Sequence, residues 1–172
     1  MKNIAVSPAS AAWLPLSPSD FDAVDRIAQA IHVDIYERTE VLFDKASFFP
    51  QGCRKLVRDG AILGYAIAHP WFINEIPEID QFLPKRDEAP DCLFLHDVAV
   101  LPAARGSNAA AALLALLRPL ARARNLRFLA CVSVYGTDRL WSRFGFTAIS
   151  RAGIDAKLAS YGPTAKYMVA PA

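Results

Sequence analysis

Apolar positions at Phe21, Val24, Ile27, Ala28 and Ile31 recur at helical spacing behind Ser19 and Asp20. This pattern, with a capping residue and acids in the first turn, predicts an amphipathic helix. A second, less regular helix is predicted in "RTEVLFDKASFFPQG", ending before Pro50. The period then changes. Residues 54–57 and 61–69 are β-prone runs joined by Arg58-Asp59-Gly60, where Asp-Gly supplies a hairpin turn. From 70 to 91 the chain reads as loop, with Pro77, Pro84 and Pro90 and the acids Glu75, Glu78, Asp80, Asp87, Glu88 and Asp91. Loops of that length in compact domains commonly serve as lids or binding segments.

Residues 92–100, "CLFLHDVAV", form an apolar strand interrupted by His96 and Asp97. The following helix is predicted to bury Leu113, Leu116, Leu117 and Leu120, with Pro119 kinking it or ending its regular part. A strand over 128–134, a short helix over 137–144, a strand from Phe146 and a last strand over 165–170 complete the pattern. Strands and helices interleave, so the expected fold is α/β (α+β), built on a single mixed, mostly antiparallel sheet flanked by helices. No repeat or linker divides the chain, and residues 1–172 are expected to form a single domain.

Composition narrows the function classes. Hydrophobic residues make up 53% of the 172 residues, enough for a substantial core. The net charge is only +2, which argues against a nucleic-acid binder; Arg118, Arg122, Arg124 and Arg127 read as the solvated end of a helix. No apolar run reaches the roughly 20 residues of a membrane span, and the N-terminal segment lacks a signal-like apolar core. Cys53, Cys92 and Cys131 are scattered, without metal-ligand spacing. Reduced thiols in a cytoplasmic protein without a metal or membrane partner fit this best, and a homodimer is compatible with the pattern.

The segment "LPAARGSNAAAALLALL" leaves the 92–100 strand, tightens through small residues and starts a helix. Helix-initial N–H groups lack internal partners and carry partial positive charge, which suits an anion; a tight strand-to-helix connection is the plainer reading. Val100, Pro102, Arg105, Asn108 and Ala110 in "VLPAARGSNAAAALL" resemble the acetyl-CoA-binding segment of the GNAT superfamily, the acetyl-CoA-dependent N-acetyltransferases. "LWSRFGF", residues 140–146, is similar to that family's "LYxxxGF". The likeness runs from about Cys53 to Phe146. Two departures stand out. Asn108 replaces the family's usual first glycine, and Trp141 replaces a tyrosine that in many members protonates the departing thiolate. An indole N–H cannot serve as that acid.

The resemblance implies acetyl transfer from acetyl-CoA to a primary amine of a small molecule, by direct attack within a ternary complex. It places the diphosphate on Arg105, Gly106, Ser107, Asn108, Ala109 and Ala110, and the pantetheine arm along Val98, Ala99 and Val100, with Trp141 nearby. It also requires the 92–100 and 128–134 strands to splay apart. His96 and Asp97 are candidates for the base. Adjacent on a strand, they are expected to point to opposite faces, so that only one meets the substrate. Tyr135 or Ser133 would replace the missing acid. The acidic loop, with Trp71 and Phe72 at its start, could attract a cationic amine. The alternatives are a non-catalytic acyl-CoA-binding module, a protein or peptide N-acetyltransferase, and a nucleotide binder using the same turn. The turn lacks the G-x-G-x-x-G set expected of the last.

Overall fold

The computed structural model describes residues 10–172; the first nine, and with them the start of the N-terminal segment considered above for a signal, lie outside the described residues. In chain order the elements are β1 (Ala12–Pro15), α1 (Phe21–Ile31), α2 (Thr39–Phe48), β2 (Arg54–Arg58), β3 (Ala61–Trp71), β4 (Cys92–Val100), α3 (Ala109–Ala123), β5 (Phe128–Ser133), α4 (Asp138–Ser142), β6 (Thr147–Ala148), α5 (Ala152–Leu158) and β7 (Lys166–Pro171). The strands form one seven-stranded sheet in the order β1-β2-β3-β4-β5-β7-β6. Every neighbouring pair is antiparallel except β4 with β5.

Side-chain alternation divides the core between two faces. Phe21, Val24, Ile27 and Ala28 of α1 and Leu42 of α2 pack on Tyr65 and Ile67 of β3. Farther along the same face, Ile154 and Leu158 of α5 cover Trp71, Cys92 and Phe94. On the opposite face Leu113, Leu114 and Leu117 of α3 pack on Ala66, Ala68, Leu93 and Leu95, together with Trp141 of α4. All three cysteines are buried and free.

The structure changes several expectations. β1 and α5 lie outside the expected pattern; each is short, and the four residues of β1 bury only Trp13. The buried stripe of α3 is Leu113, Leu114, Leu117 and Ala121, while Leu116 is exposed. The helix also runs through Pro119 to Ala123. Pro119 lies on the solvent side, where water can satisfy the carbonyl its missing N–H leaves unpaired. No helix among the described residues is long and apolar enough to cross a membrane.

Two irregularities create the site. β4 pairs with β5 only from Cys92↔Phe128 to Leu95↔Cys131, after which the strands separate. At that point the register between β3 and β4 shifts, from Ile67↔Asp97 to Ala68↔Leu95, leaving His96 as the extra residue of a β-bulge. A bulge resets alternation. Leu95 and Val98 face α3, whereas Ala99 joins the α1–α2 core. His96 and Asp97 therefore lie together on the α1–α2 side. The expectation that they point to opposite faces is corrected: strict two-residue alternation fails where one residue is inserted.

Candidate active site

The opened seam is the floor of a cleft of about 650 Å³. Its lining includes Val98 and Val100 from the α3 face and His32, Glu37, His96 and Asp97 from the other, so the cleft passes through the sheet. One end is the turn into α3. Gly106 and Asn108 there have positive φ values of 77° and 61°, and Arg105, Gly106, Asn108, Ala109 and Ala110 line the cleft. The first bond closing the helix is Ala112 N–H to the Asn108 carbonyl at 3.1 Å. The preceding N–H groups of Ala109, Ala110 and Ala111 thus lack helical acceptors and face a space bounded by small side chains. Such a nest of backbone donors at a helix N-terminus fits a diphosphate. Trp13 of β1 fixes the helix end by donating its indole N–H to the Ala109 carbonyl at 2.8 Å.

The remaining residues expected around the cofactor differ in what they offer. Ser107 donates its hydroxyl to the Ala104 carbonyl at 2.6 Å, so its side chain shapes the turn. Arg105 reaches the Val100 carbonyl at 3.4 Å. The Ala99 side chain is buried away from the cleft, leaving only its backbone on the seam edge. Trp141 is buried against Phe146, with ring centroids 5.4 Å apart, and presents an apolar wall.

The other end holds a network of ionisable side chains. Glu37, between α1 and α2, accepts from His96 Nε2 at 2.7 Å, from Lys45 Nζ of α2 and from the Asp80 N–H at 2.7 Å. Lys45 is fully buried, on the apolar face beside Val41, Leu42 and Ala46. Burial would raise the Glu37 carboxyl, but His96 and Lys45 outweigh it and hold it at about 2. Burial also pushes the Lys45 ammonium below its ordinary value, opposed by Glu37. Behind His96 lies His69 of β3, driven down to about 3 by burial and by His96. Neutral His69 donates from Nδ1 to the Pro70 carbonyl at 3.0 Å, which leaves its Nε2 as acceptor 3.4 Å from His96 Nδ1. His96 thus sits between two partners, His69 on its Nδ1 side and Glu37 on its Nε2 side.

Asp97 belongs to a neighbouring cluster. It accepts from His32 Nε2 at 2.7 Å and from the Tyr65 hydroxyl at 2.5 Å. For His32, burial favours the neutral ring, but Asp97 prevails and raises its pKa above the ordinary 6.5. Burial, reinforced by Asp97, pushes the Tyr65 phenol well above its usual range. Tyr135 follows β5 with a positive φ of 53°, lines the cleft and stacks on His32, with centroids 6.2 Å apart and planes 21° apart. Ser133, the other residue considered for the acid, is buried, and its hydroxyl lies 3.1 Å from that of Thr137.

The 72–91 loop contributes Ile79 to the lining. Its acids are largely paired: Glu75 and Glu88 with Arg86, Asp80 with Arg38, and Glu78 with Lys157. Arg86 also sits 4.1 Å above the Phe72 ring. This loop is therefore a poor source of free negative charge. Conversely, His32, Glu37, Lys45, Tyr65 and His69 escaped the sequence reading. Signals existed: Lys45 interrupts an apolar helical face, and His69 continues the inward series Tyr65 and Ile67. An ionisable group at an inward position needs a partner.

The model of the Acetyltransferase (GNAT) family matches residues 16–146. No curated protein sequence matches the chain. Among solved structures, Ard1 from Thermoplasma volcanium superposes with a TM-score of 0.70 at 16% identity, over 95% of this chain and 98% of that one. The ribosomal-protein-S18-alanine N-acetyltransferase from Escherichia coli gives 0.63 at 20% identity, over 94% and 93%. N-acetylglutamate synthase from Neisseria gonorrhoeae, complexed with coenzyme A and N-acetyl-glutamate, gives 0.69 at 19% identity over 96% of this chain, which spans 36% of that protein. At such identities these likenesses concern the fold, while the family match covers most of the chain: it belongs to the GNAT acetyltransferase family.

Proposed function

We propose that the protein transfers the acetyl group of acetyl-CoA to the primary amine of a small molecule with an apolar body. The observation that carries this reading is the separation of β4 from β5 beyond Leu95 and Cys131, beside the N–H nest of α3. The slot gives a pantetheine arm an unpaired strand edge, at Val98, Ala99 and Val100, and the nest takes the diphosphate. Acetyl-CoA supplies the activated acyl group; the chain's own part is to align it with an amine and to move a proton.

The lining of the acceptor end supports the choice of amine. Ile31, Ile35, Ile79, Phe94 and Tyr161 surround the ionisable cluster. Among the described residues lining the cleft, the only lysine or arginine side chains are Arg105 and Arg143, one in the cofactor turn and the other just after α4. A carboxylate beside the reacting nitrogen would have no lysine or arginine partner at the acceptor end, which disfavours free amino acids. Named neighbours act on different acceptors, an S18 alanine in one and glutamate chemistry in another, so the acceptor must come from this chain's own lining.

Calorimetric titration should give CoA binding with little response to NAD or ATP. A panel of apolar amines, amino acids and peptide N-termini, followed by thiol release, then ranks the acceptors. Apolar amines should lead. Fastest turnover of an amino acid or a peptide would overturn the acceptor class. CoA binding without thiol release from any amine would favour an acyl-CoA-binding module, the reading that Trp141 in place of the family's acid keeps open.

A further inference from the structure

We infer that His32 Nδ1 is the group that accepts the proton of the substrate ammonium, with Asp97 and Tyr65 as positioning residues; this rests on the acetyl-transfer reading above. His32 stands where α1 ends, its N–H closing on the Ala28 carbonyl at 2.7 Å, and its ring lines the cleft. The two oxygens of Asp97 are occupied by donors, His32 Nε2 and the Tyr65 hydroxyl. That arrangement places the proton of neutral His32 on Nε2 and the lone pair on Nδ1. Nδ1 is buried and has no hydrogen-bond partner among the described residues. Buried polar atoms are almost always paired, so an acceptor left free beside a cleft marks a place for a ligand proton.

The neighbouring groups do not offer the same. Both ring nitrogens of His96 already face a partner, His69 or Glu37, and Glu37 already accepts from Lys45, His96 and a backbone N–H. Stacking against Tyr135 holds the His32 ring at the end of β5, where the seam has opened. The base role expected of His96 thus passes to His32, while Asp97, instead of serving as base itself, orients the imidazole.

The step balances simply. His32 Nδ1 takes one proton from the substrate ammonium, and the freed lone pair forms the C–N bond to the acetyl carbon. The C–S bond breaks with its electron pair on sulfur, and the second amine proton ends on that thiolate. The imidazolium then releases its proton to water. The products are the amide, CoA thiol and one proton.

The titratable groups around His32 are Asp97 and His96 from β4, Tyr65 from β3, Asp34 and Glu37 from the segment after α1, Lys45 from α2 and Tyr135 after β5. Because Asp97 raises the ring of the free enzyme above 6.5, the acidic limb of kcat/KM should lie above that pH. His32→Gln keeps a donor for Asp97 but no base. It should lose roughly 10²- to 10⁴-fold in kcat, lose the acidic limb and bind CoA as before. Tyr65→Phe, which strips Asp97 of a hydrogen bond, should move the limb to higher pH with a small change in kcat. Unchanged kcat and pH profile in folded His32→Gln would overturn the assignment. Nitrogen-15 NMR of the histidine-labelled wild type gives a readout independent of turnover: neutral His32 should carry its proton on Nε2, and a proton on Nδ1 would overturn the proposal. Should wild type acetylate no amine, the functional reading fails, and the NMR result still decides the tautomer.

Discussion

The two ends of the cleft are built on opposite principles. At the turn into α3, one contiguous stretch offers backbone donors, and its side chains matter mainly by being small. At the other end, side chains from the α1–α2 connection, α2, β3 and β4 hold one another through hydrogen bonds and charge. The first kind of site survives changes of side-chain chemistry and fails when bulk is added. The second survives only if each partner is present, since every deletion strands another group in a low-dielectric interior.

The largest test of that contrast removes Glu37. Glu37→Gln leaves the buried ammonium of Lys45 without its counter-charge and takes the carboxylate partner from His96. Breaking one member of a buried pair costs about 3–5 kcal/mol, and urea unfolding should read a loss of that size. Adding Lys45→Met should recover much of it, because the second change removes the stranded charge. A single-variant loss within about 0.5 kcal/mol, the range of ordinary surface substitutions, would mean that the network is not a tightly coupled unit.

The same pair sets a dependence on pH. The Glu37 carboxyl is held at about 2 in the folded chain against an ordinary 4.5, so the folded state binds its proton less readily. Its contribution to stability is therefore present above pH 4.5 and is lost as pH falls toward 2. Melting temperatures of wild type should drop through that window more steeply than those of the Glu37→Gln, Lys45→Met double variant. Parallel curves would dissociate Glu37 from the acid sensitivity.

What the sequence made legible follows the same division. The strand, turn and helix around residue 108 could be read because proximity along the chain is proximity in space, and the splay of β4 from β5 followed from the resemblance. The partners of His96 and Asp97 could not. Their contacts join residues 59 and 65 positions apart, and nothing local in "HVDIYE" announces that His32 and Glu37 turn inward. The bulge at His96 was equally hidden. Register shifts arise from how two strands meet, and alternation read from one strand assumes that no residue is inserted.

At the turn, the sharper experiment is Ala110→Leu. Leucine is a good helix former, so the fold should hold, but its side chain would occupy the approach to the N–H nest. Overfilling a fitted space costs about 1–3 kcal/mol, which corresponds to roughly 5- to 150-fold weaker CoA binding by calorimetry. Unaltered affinity in a folded variant would remove the nest from the cofactor site.

The smallest expected effect separates backbone from side chain at Asn108. This residue precedes α3 with φ 61° and ψ 23°, a left-handed conformation, and its side chain makes no capping hydrogen bond. If the turn works through backbone geometry alone, glycine should replace asparagine at little cost, because glycine enters that region freely and no side-chain bond is lost. Alanine should be the worse substitute, since a left-handed backbone costs an ordinary residue about 1–2 kcal/mol. Thermal unfolding should therefore rank Asn108→Gly close to wild type and Asn108→Ala below both, with CoA affinity in the same order and the glycine variant within about threefold of wild type, a difference under 1 kcal/mol. Both variants falling equally far below wild type would show that the Asn108 carboxamide itself matters in the turn, and the separation between a backbone site and a side-chain site would no longer hold there.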